Sequence, residues 1–187
     1  MKDRKLYKVI LLLGSNLSLG RMTPAQIIEE ADKEIVDALL PDYLEVESLD
    51  EAARTTEIIK TEPCGVFDTE KDENGRELPT PEFYNQALCC ITDKTPKELL
   101  FQIQRIEKLF GRQRTYKVKG ETYQSRTLDI DILRIFESAQ ADKPADKGAD
   151  KKKEWVELKL NTPDITVPHT QIQTRDFVAP LLKKLHC

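Results

Sequence analysis

The run Arg126-Thr127-Leu128-Asp129-Ile130-Asp131-Ile132-Leu133 sets two carboxylates one residue apart inside an otherwise apolar, strand-like stretch. Successive side chains of a strand point to opposite faces, so Asp129 and Asp131 share one face while Leu128, Ile130 and Ile132 fill the other. The two charges then stand roughly 6–7 Å apart by strand rise and repel each other unless a cation lies between them. Magnesium suits such a pair, because it takes hard oxygen ligands, commonly one or two carboxylates, and completes its shell with water and substrate phosphates. The plain alternative is a half-exposed strand carrying two solvated aspartates.

At 187 residues the chain is long enough for one domain with a real core and no stapling by disulfides or structural metal. A net charge of -4 and a pI near 5.4 speak against nucleic acid as a partner, so any anion site must be built locally. No apolar run reaches the length of a membrane span, and Met1 to Lys8 is too charged for a secretory signal. Cys64, Cys89, Cys90 and Cys187 show no C-x-x-C spacing, which favours buried reduced thiols over a disulfide frame or a zinc site. A soluble cytoplasmic protein is expected.

Leu6 to Leu13 reads as a buried central strand ended by a tight loop at Gly14-Ser15-Asn16. From Pro24 to Leu40 apolar residues recur near a 3.6 period behind Thr23 as N-cap, which predicts a helix. Thr55 to Ile59 is the most strand-like part of residues 43–61. Residues 62–82 are polar, rich in proline and longer than most connections, as an active-site lid would be. Phe83 to Ile91 returns to a strand pattern. Thr95-Pro96-Lys97-Glu98 then opens a helix with a capping box, running to about Phe110 and stopped by Gly111. A second polar loop, residues 111–126, precedes the D-x-D strand, which extends to about Phe136. Residues 137–154 repeat Ala-Asp-Lys around Pro144 and Gly148 and read as a low-complexity, disordered insertion. A charge-paired helix is the alternative there. Trp155 to Leu160 alternates, with Val156, Leu158 and Leu160 on one face, so the insertion would be the tip of a hairpin with the D-x-D strand. A short helix from about Phe177 closes a single α+β domain, 1–187, with a largely antiparallel sheet.

Arg112, Arg114 and Arg126 flank or lie within the loop immediately before Asp129. Guanidiniums present planar forks that match phosphate oxygens, so carboxylate-held metal beside them implies a polyphosphate ligand. There is no G-x-x-x-x-G-K-[ST], hence no P-loop. For Arg112 and Arg114 the alternative is electrostatic capping of the preceding helix. His169, beside Pro168, reads by itself as structural. Phe83 and Phe177 suit core packing, or, with the amide of Asn85, the binding of a flat heterocycle.

Taken in order, Leu13-Gly14-Ser15-Asn16-Leu17, Phe83-x-Asn85, Gln104-Arg105-Ile106-Glu107 with Gly111-Arg112-x-Arg114, Arg126-Thr127-Leu128-Asp129-Ile130-Asp131-Ile132, Pro168-His169 and Arg175-x-Phe177 resemble the 6-hydroxymethyl-7,8-dihydropterin pyrophosphokinases of folate biosynthesis. The resemblance spans about residues 6–182 outside the insertion. It implies a ferredoxin-like α+β fold with long mobile active-site loops. The implied reaction is transfer of pyrophosphate from ATP to the hydroxymethyl group of the pterin, with release of AMP. By the same resemblance, Asp129 and Asp131 would hold two magnesium ions and act in catalysis with Arg112 and Arg126. Gln104, Arg114, Arg126, Thr166, His169 and Arg175 would bind ATP. Thr61, Cys64, Phe83, Asn85, Tyr123 and Phe177 would bind the pterin, and Glu107 would organise the arginines. The partners would be small molecules only, without nucleic acid or membrane, bound by a monomer.

The chain also departs from the family pattern. Thr122-Tyr123-Gln124-Ser125 stands where members commonly carry a basic residue, an aromatic and Gly-Pro, so a basic contact is lost and Tyr123 would serve as the lid aromatic. The loop is several residues longer than usual, and familiar members continue beyond the position of Cys187. A non-catalytic pterin- or nucleotide-binding member is the rival reading, disfavoured because Asp129, Asp131, Arg112, Arg126 and His169 are all present. A two-metal nucleotidyltransferase is a second rival, opposed by the net negative charge and the paired aromatics.

Overall fold

The computed structural model describes residues 5–44, 52–63, 73–112, 125–139 and 154–185. Tyr7–Ser15 forms β1, the central strand. Pro24–Leu39 forms α1, Ala53–Thr55 β2, Ile59–Thr61 β3 and Phe83–Thr92 β4. Pro96–Leu109 forms α2, Asp129–Ser138 β5, Trp155–Glu157 β6, Leu160–Asn161 β7 and Thr166–Val167 β8. Gln171–Thr174 is α3, a single turn, and Val178–Leu185 is α4.

The main sheet runs β2-β4-β1-β5-β6, with β3 following β2 along the same edge of β4, and every pairing is antiparallel. Strands, α1 and α2 follow the β-α-β-β-α-β order, with the two crossover helices stacked on one face. This is the α+β architecture with a mainly antiparallel sheet that the sequence predicts. Both crossover helices start where expected. Thr23 with Gln26, and Thr95 with Glu98, form complete capping boxes ahead of a proline.

Alternation along the strands divides the core into two layers. Val9, Leu11 and Leu13 of β1 and Leu128, Ile130 and Ile132 in and before β5 pack under α1 and α2. Ile10 and Leu12, with Leu133, face α4 through Val178, Leu181 and Leu185. Each fully buried leucine or isoleucine contributes about 1.5–3 kcal/mol by leaving water. A bulge adjusts the pattern in β5: Ile10 pairs with Arg134 and Leu11 with Ile132, so Leu133 is an extra residue.

Three expectations change. Gly14 and Ser15 do not leave the strand as a tight loop; they extend β1, paired with Asn85 and Tyr84 of β4. Thr55 to Ile59 is not one strand but the junction between two. The Thr56 hydroxyl accepts from Ala87 N at 3.1 Å and Gln86 Nε2 donates to Thr56 O at 2.9 Å, so side chains replace ladder bonds and the pairing steps by one residue between Thr55↔Leu88 and Ile59↔Asn85. Trp155 to Leu160 also splits. β6 pairs with β5, whereas Leu160 turns away to pair with Val167 of β8, so Val156 is 53% exposed while Leu158 and Leu160 pack on the core under the crossover helices. Most of the 137–154 insertion and of the 111–126 loop, and residues 64–72 of the first long loop, lie outside the described residues. No helix among the described residues is long and apolar enough to cross a membrane.

Candidate active site

The antiparallel register lines up the site in two rows across the sheet face that α4 partly covers. Gly14 lies between Asn85 on β4 and Asp129 on β5; two residues back, Leu12 lies between Ala87 and Asp131. The acids therefore stand on the face opposite Ile130 and Ile132, as the period-2 pattern requires. Above them the sheet face opens into a solvent-facing cleft. Its floor is Gly14 and Leu12. Phe83 and Asn85 wall one side, and the acids with Arg126, Gln171 and Arg175 form the other. Gly14 keeps the floor flat: a Cβ there would come 3.2 Å from Asn85 Oδ1. Asn85 is itself held by a bond from Nδ2 to Thr61 Oγ1, 2.8 Å.

Asp129 is gripped by both neighbouring arginines. Arg112 Nη1 donates to its Oδ1 and Arg126 Nη1 to its Oδ2. Arg112 Nη1 also donates to Glu107 Oε1 on α2, and that same oxygen accepts from Ile130 N at 3.0 Å. Glu107 is 1% exposed, so it is a buried acid whose charge is met by a guanidinium and a main-chain N–H. Gly111, at φ 78°, stops α2 and turns the chain so that Arg112 reaches both acids.

Asp131 is built differently. Burial raises its carboxyl to about 6, and the like charge of Asp129 pushes the same way; His169, the bond from Gln171 and Arg126 oppose the rise. Gln171 Nε2 donates to its Oδ2 at 2.6 Å. No group of three or more His, Cys, Asp or Glu side chains among the described residues is placed to hold a metal. The donor set is thus two carboxylates on one strand face. That fits magnesium, which keeps water and phosphate oxygens as its other ligands, and a cation between the acids would offset the burial and the repulsion that together raise Asp131.

Of the residues singled out in the sequence, Phe83, Asn85, Arg126, Asp129, Asp131 and Arg175 line one cleft, with Arg112 and Thr61 one bond behind. Four others do not line it. Phe177 packs with the apolar layer beneath α4, because its neighbours Val178 and Leu181 anchor that helix to the sheet. His169 is turned into the main chain: its N donates to Leu133 O at 2.9 Å and its Nδ1 accepts from Gln171 N at 3.2 Å. Thr166 is exposed on the β7–β8 hairpin, its Oγ1 3.4 Å from Asn161 Oδ1, and Gln104 is half-buried on α2. Cys64, Arg114 and Tyr123 lie outside the described residues.

Sequence reasoning missed Gln171 and the anchoring task of Asn16. Asn16 N and Leu17 N donate to Arg126 O at 3.1 and 3.2 Å, Asn16 Oδ1 accepts from Arg126 N at 2.7 Å, and Asn16 Nδ2 donates to Ser125 Oγ at 2.9 Å. The only hint was an amide after Gly-Ser at a strand end. No local pattern says that it will meet residues 110 positions away.

An α+β sheet carrying paired acids and arginines beside an aromatic and an amide defines a small-molecule site suited to a phosphorylated ligand and a flat ring. The family model described as 7,8-dihydro-6-hydroxymethylpterin-pyrophosphokinase (HPPK) matches residues 10–186, and the chain belongs to that family. It is similar to 2-amino-4-hydroxy-6-hydroxymethyldihydropteridine pyrophosphokinases from two strains of Porphyromonas gingivalis, 32% identical over 104 residues that cover 56% of this chain and 56% of each relative. It is also similar to the mitochondrial folate synthesis bifunctional protein of Pisum sativum, 34% identical over 106 residues that cover 56% of this chain and 16% of that protein. The chain thus aligns with about half the length of the bacterial relatives.

Proposed function

We propose that this protein transfers the terminal pyrophosphoryl group of ATP to the hydroxymethyl oxygen of 6-hydroxymethyl-7,8-dihydropterin, releasing AMP, as a magnesium-dependent monomeric enzyme of the cytoplasm. The observation that carries the reading is the row Asn85–Gly14–Asp129 across adjacent strands, which brings a hydrogen-bonding amide within one strand of an acid–arginine cluster on either side of a flat floor. Family membership supports this choice of substrates.

In this reading the pterin lies against Phe83 over the Gly14 floor, with Asn85 hydrogen-bonding its edge. Arg126 and Arg175 draw the phosphates into the cleft, and Arg112 joins them when it exchanges Asp129 for a phosphate oxygen. Asp129 and Asp131 would hold two magnesium ions, which would supply neutralisation of the polyphosphate charge. Thr61 and Glu107 fix Asn85 and Arg112 in advance, so the binding energy of the substrates is spent on alignment of hydroxyl and phosphorus rather than on ordering the protein. Cys64 and Tyr123 join the pterin side and Arg114 the phosphates. Gln104, Thr166 and His169 would add to the ATP side and Phe177 to the pterin side; of these, His169 stands near enough to Asp131 to act on its charge.

The test is AMP and pterin-diphosphate production from ATP, magnesium and hydroxymethyl-dihydropterin, resolved by chromatography. Wild-type protein is expected to form both products in equal amounts, and Asp129→Ala to lose at least a hundredfold in rate, on the order of a missing transition-state electrostatic contact. ATP hydrolysis without pterin diphosphate would overturn the assignment.

A further inference from the structure

Gln171 opens a single helical turn, α3, yet it reaches two of the candidate site residues. Its side-chain Nε2 donates to Asp131 Oδ2 at 2.6 Å, and its backbone N donates to His169 Nδ1 at 3.2 Å. Its side chain lines the cleft, and its Oε1 is buried without a hydrogen-bond partner among the described residues. A buried acceptor left unmade costs stability and is retained where a ligand satisfies it.

The residue type is also informative. A lysine or arginine opposite Asp131 would neutralise the carboxylate and compete with a cation. A hydrocarbon would leave the carboxylate free to turn. A neutral amide holds one carboxylate oxygen in place without cancelling its charge, and it carries a second atom of opposite hydrogen-bonding sense. Asp129, by contrast, is held through both oxygens by guanidiniums. Of the two acids, Asp131 is therefore the one that no guanidinium grips among the described residues.

We propose that Gln171 is a positioning residue for a divalent cation: Nε2 orients Asp131, and Oε1 accepts a hydrogen bond from the cation's hydration shell. The inference rests on the reading of this cleft as a cation–polyphosphate site. Groups that orient a metal ligand typically change metal affinity by about 10–100-fold when removed.

The experiment measures Mn2+ binding to the full chain by electron paramagnetic resonance, with a non-hydrolysable ATP analogue present, for wild type, Gln171→Leu, Gln171→Glu and Asp131→Ala. Melting of the metal-free proteins runs in parallel. Gln171→Leu removes both polar atoms at similar length and is expected to weaken Mn2+ binding about tenfold. Gln171→Glu loses the donor but supplies a charged oxygen, and is expected to bind Mn2+ at least as tightly as wild type. A residue that merely tied α3 to β5 would give the opposite pattern, since both variants break that tie alike; equal weakening in both, or no change in either, overturns the proposal. Should Gln171→Leu fail to fold, Gln171→Glu decides, and affinity below wild type overturns it. Failure of wild type to bind Mn2+, or undiminished binding by Asp131→Ala, would instead bring down the underlying reading of the site, and this inference with it.

Discussion

Asn16 closes on the main chain of Arg126 from both sides, its Oδ1 accepting from Arg126 N at 2.7 Å while its own N donates to Arg126 O at 3.1 Å. The end of β1 thereby fixes the residue that enters the acid-bearing strand. The unusual approach to that strand is tied down as well, because Ser125, which departs from the family pattern, supplies the hydroxyl that Asn16 Nδ2 reaches at 2.9 Å. Asn16→Ala is expected to cost about 2 kcal/mol in urea unfolding, from two side-chain bonds at a buried position. Turnover should fall further than stability, by tenfold or more at temperatures where the variant is fully folded, because an arginine displaced by about 1 Å is misplaced for the chemistry.

Glu107 gives a prediction about stability. Glu107→Ala leaves Ile130 N without its acceptor and Arg112 with one anion fewer, and is expected to cost about 3 kcal/mol. Glu107→Gln, which keeps an oxygen for Ile130 N, should cost about half as much. Denaturation midpoints compare the two, and equal losses would show that the main-chain bond contributes nothing.

At the cleft floor, Gly14→Ala puts a methyl group 3.2 Å from Asn85 Oδ1. The amide must shift by a few tenths of an ångström, which disturbs its bond to Thr61. The expected outcome is a KM for the pterin raised by about tenfold, the loss of one well-made hydrogen bond, with the KM for ATP unchanged. Steady-state kinetics with each substrate varied separately would check it, and a rise in both constants would contradict the division of the cleft.

Asp32 on α1, remote in sequence from the site residues, carries a pH signature. Burial raises its carboxyl to about 6, weakly opposed by Lys33, and its Oδ1 has no hydrogen-bond partner among the described residues. The folded state therefore holds a proton that the unfolded chain, with an ordinary value of 3.8, releases earlier. This contribution to stability is complete below about pH 4 and is lost as pH rises through about 6. Part of the side chain meets solvent, which limits the effect to about 1 kcal/mol. The stability difference between Asp32→Asn and wild type should shift in favour of the variant by that amount between pH 4 and 7, as read from urea titrations. Asp131 shifts in the same direction in both proteins and cancels from the difference.

Local patterns were legible where one chemistry dominates. Pro24 and Pro96 behind capping boxes mark both crossover helices, and the alternation of Asp129, Ile130, Asp131 and Ile132 assigns the acids to one face. Patterns misled where long-range pairing overrides them. Gly14 looked like a turn, yet partners on both sides keep it in the sheet, and Thr56 breaks a strand-like run because its hydroxyl takes a ladder bond.

By itself the sequence determined which residues carry charge, which faces are apolar and where helices begin, since these depend on neighbours within a few positions. It also carried the motif order that marks the family. Only the tertiary structure decided that Gly14 separates Asn85 from Asp129, that Asn16 anchors Arg126 across 110 residues, and that Gln171 rather than His169 lines the cleft beside Asp131. Strand register and the docking of α3 set those distances. Both are fixed by the packing of two apolar layers against one sheet, a balance over the whole domain that no short stretch of sequence contains.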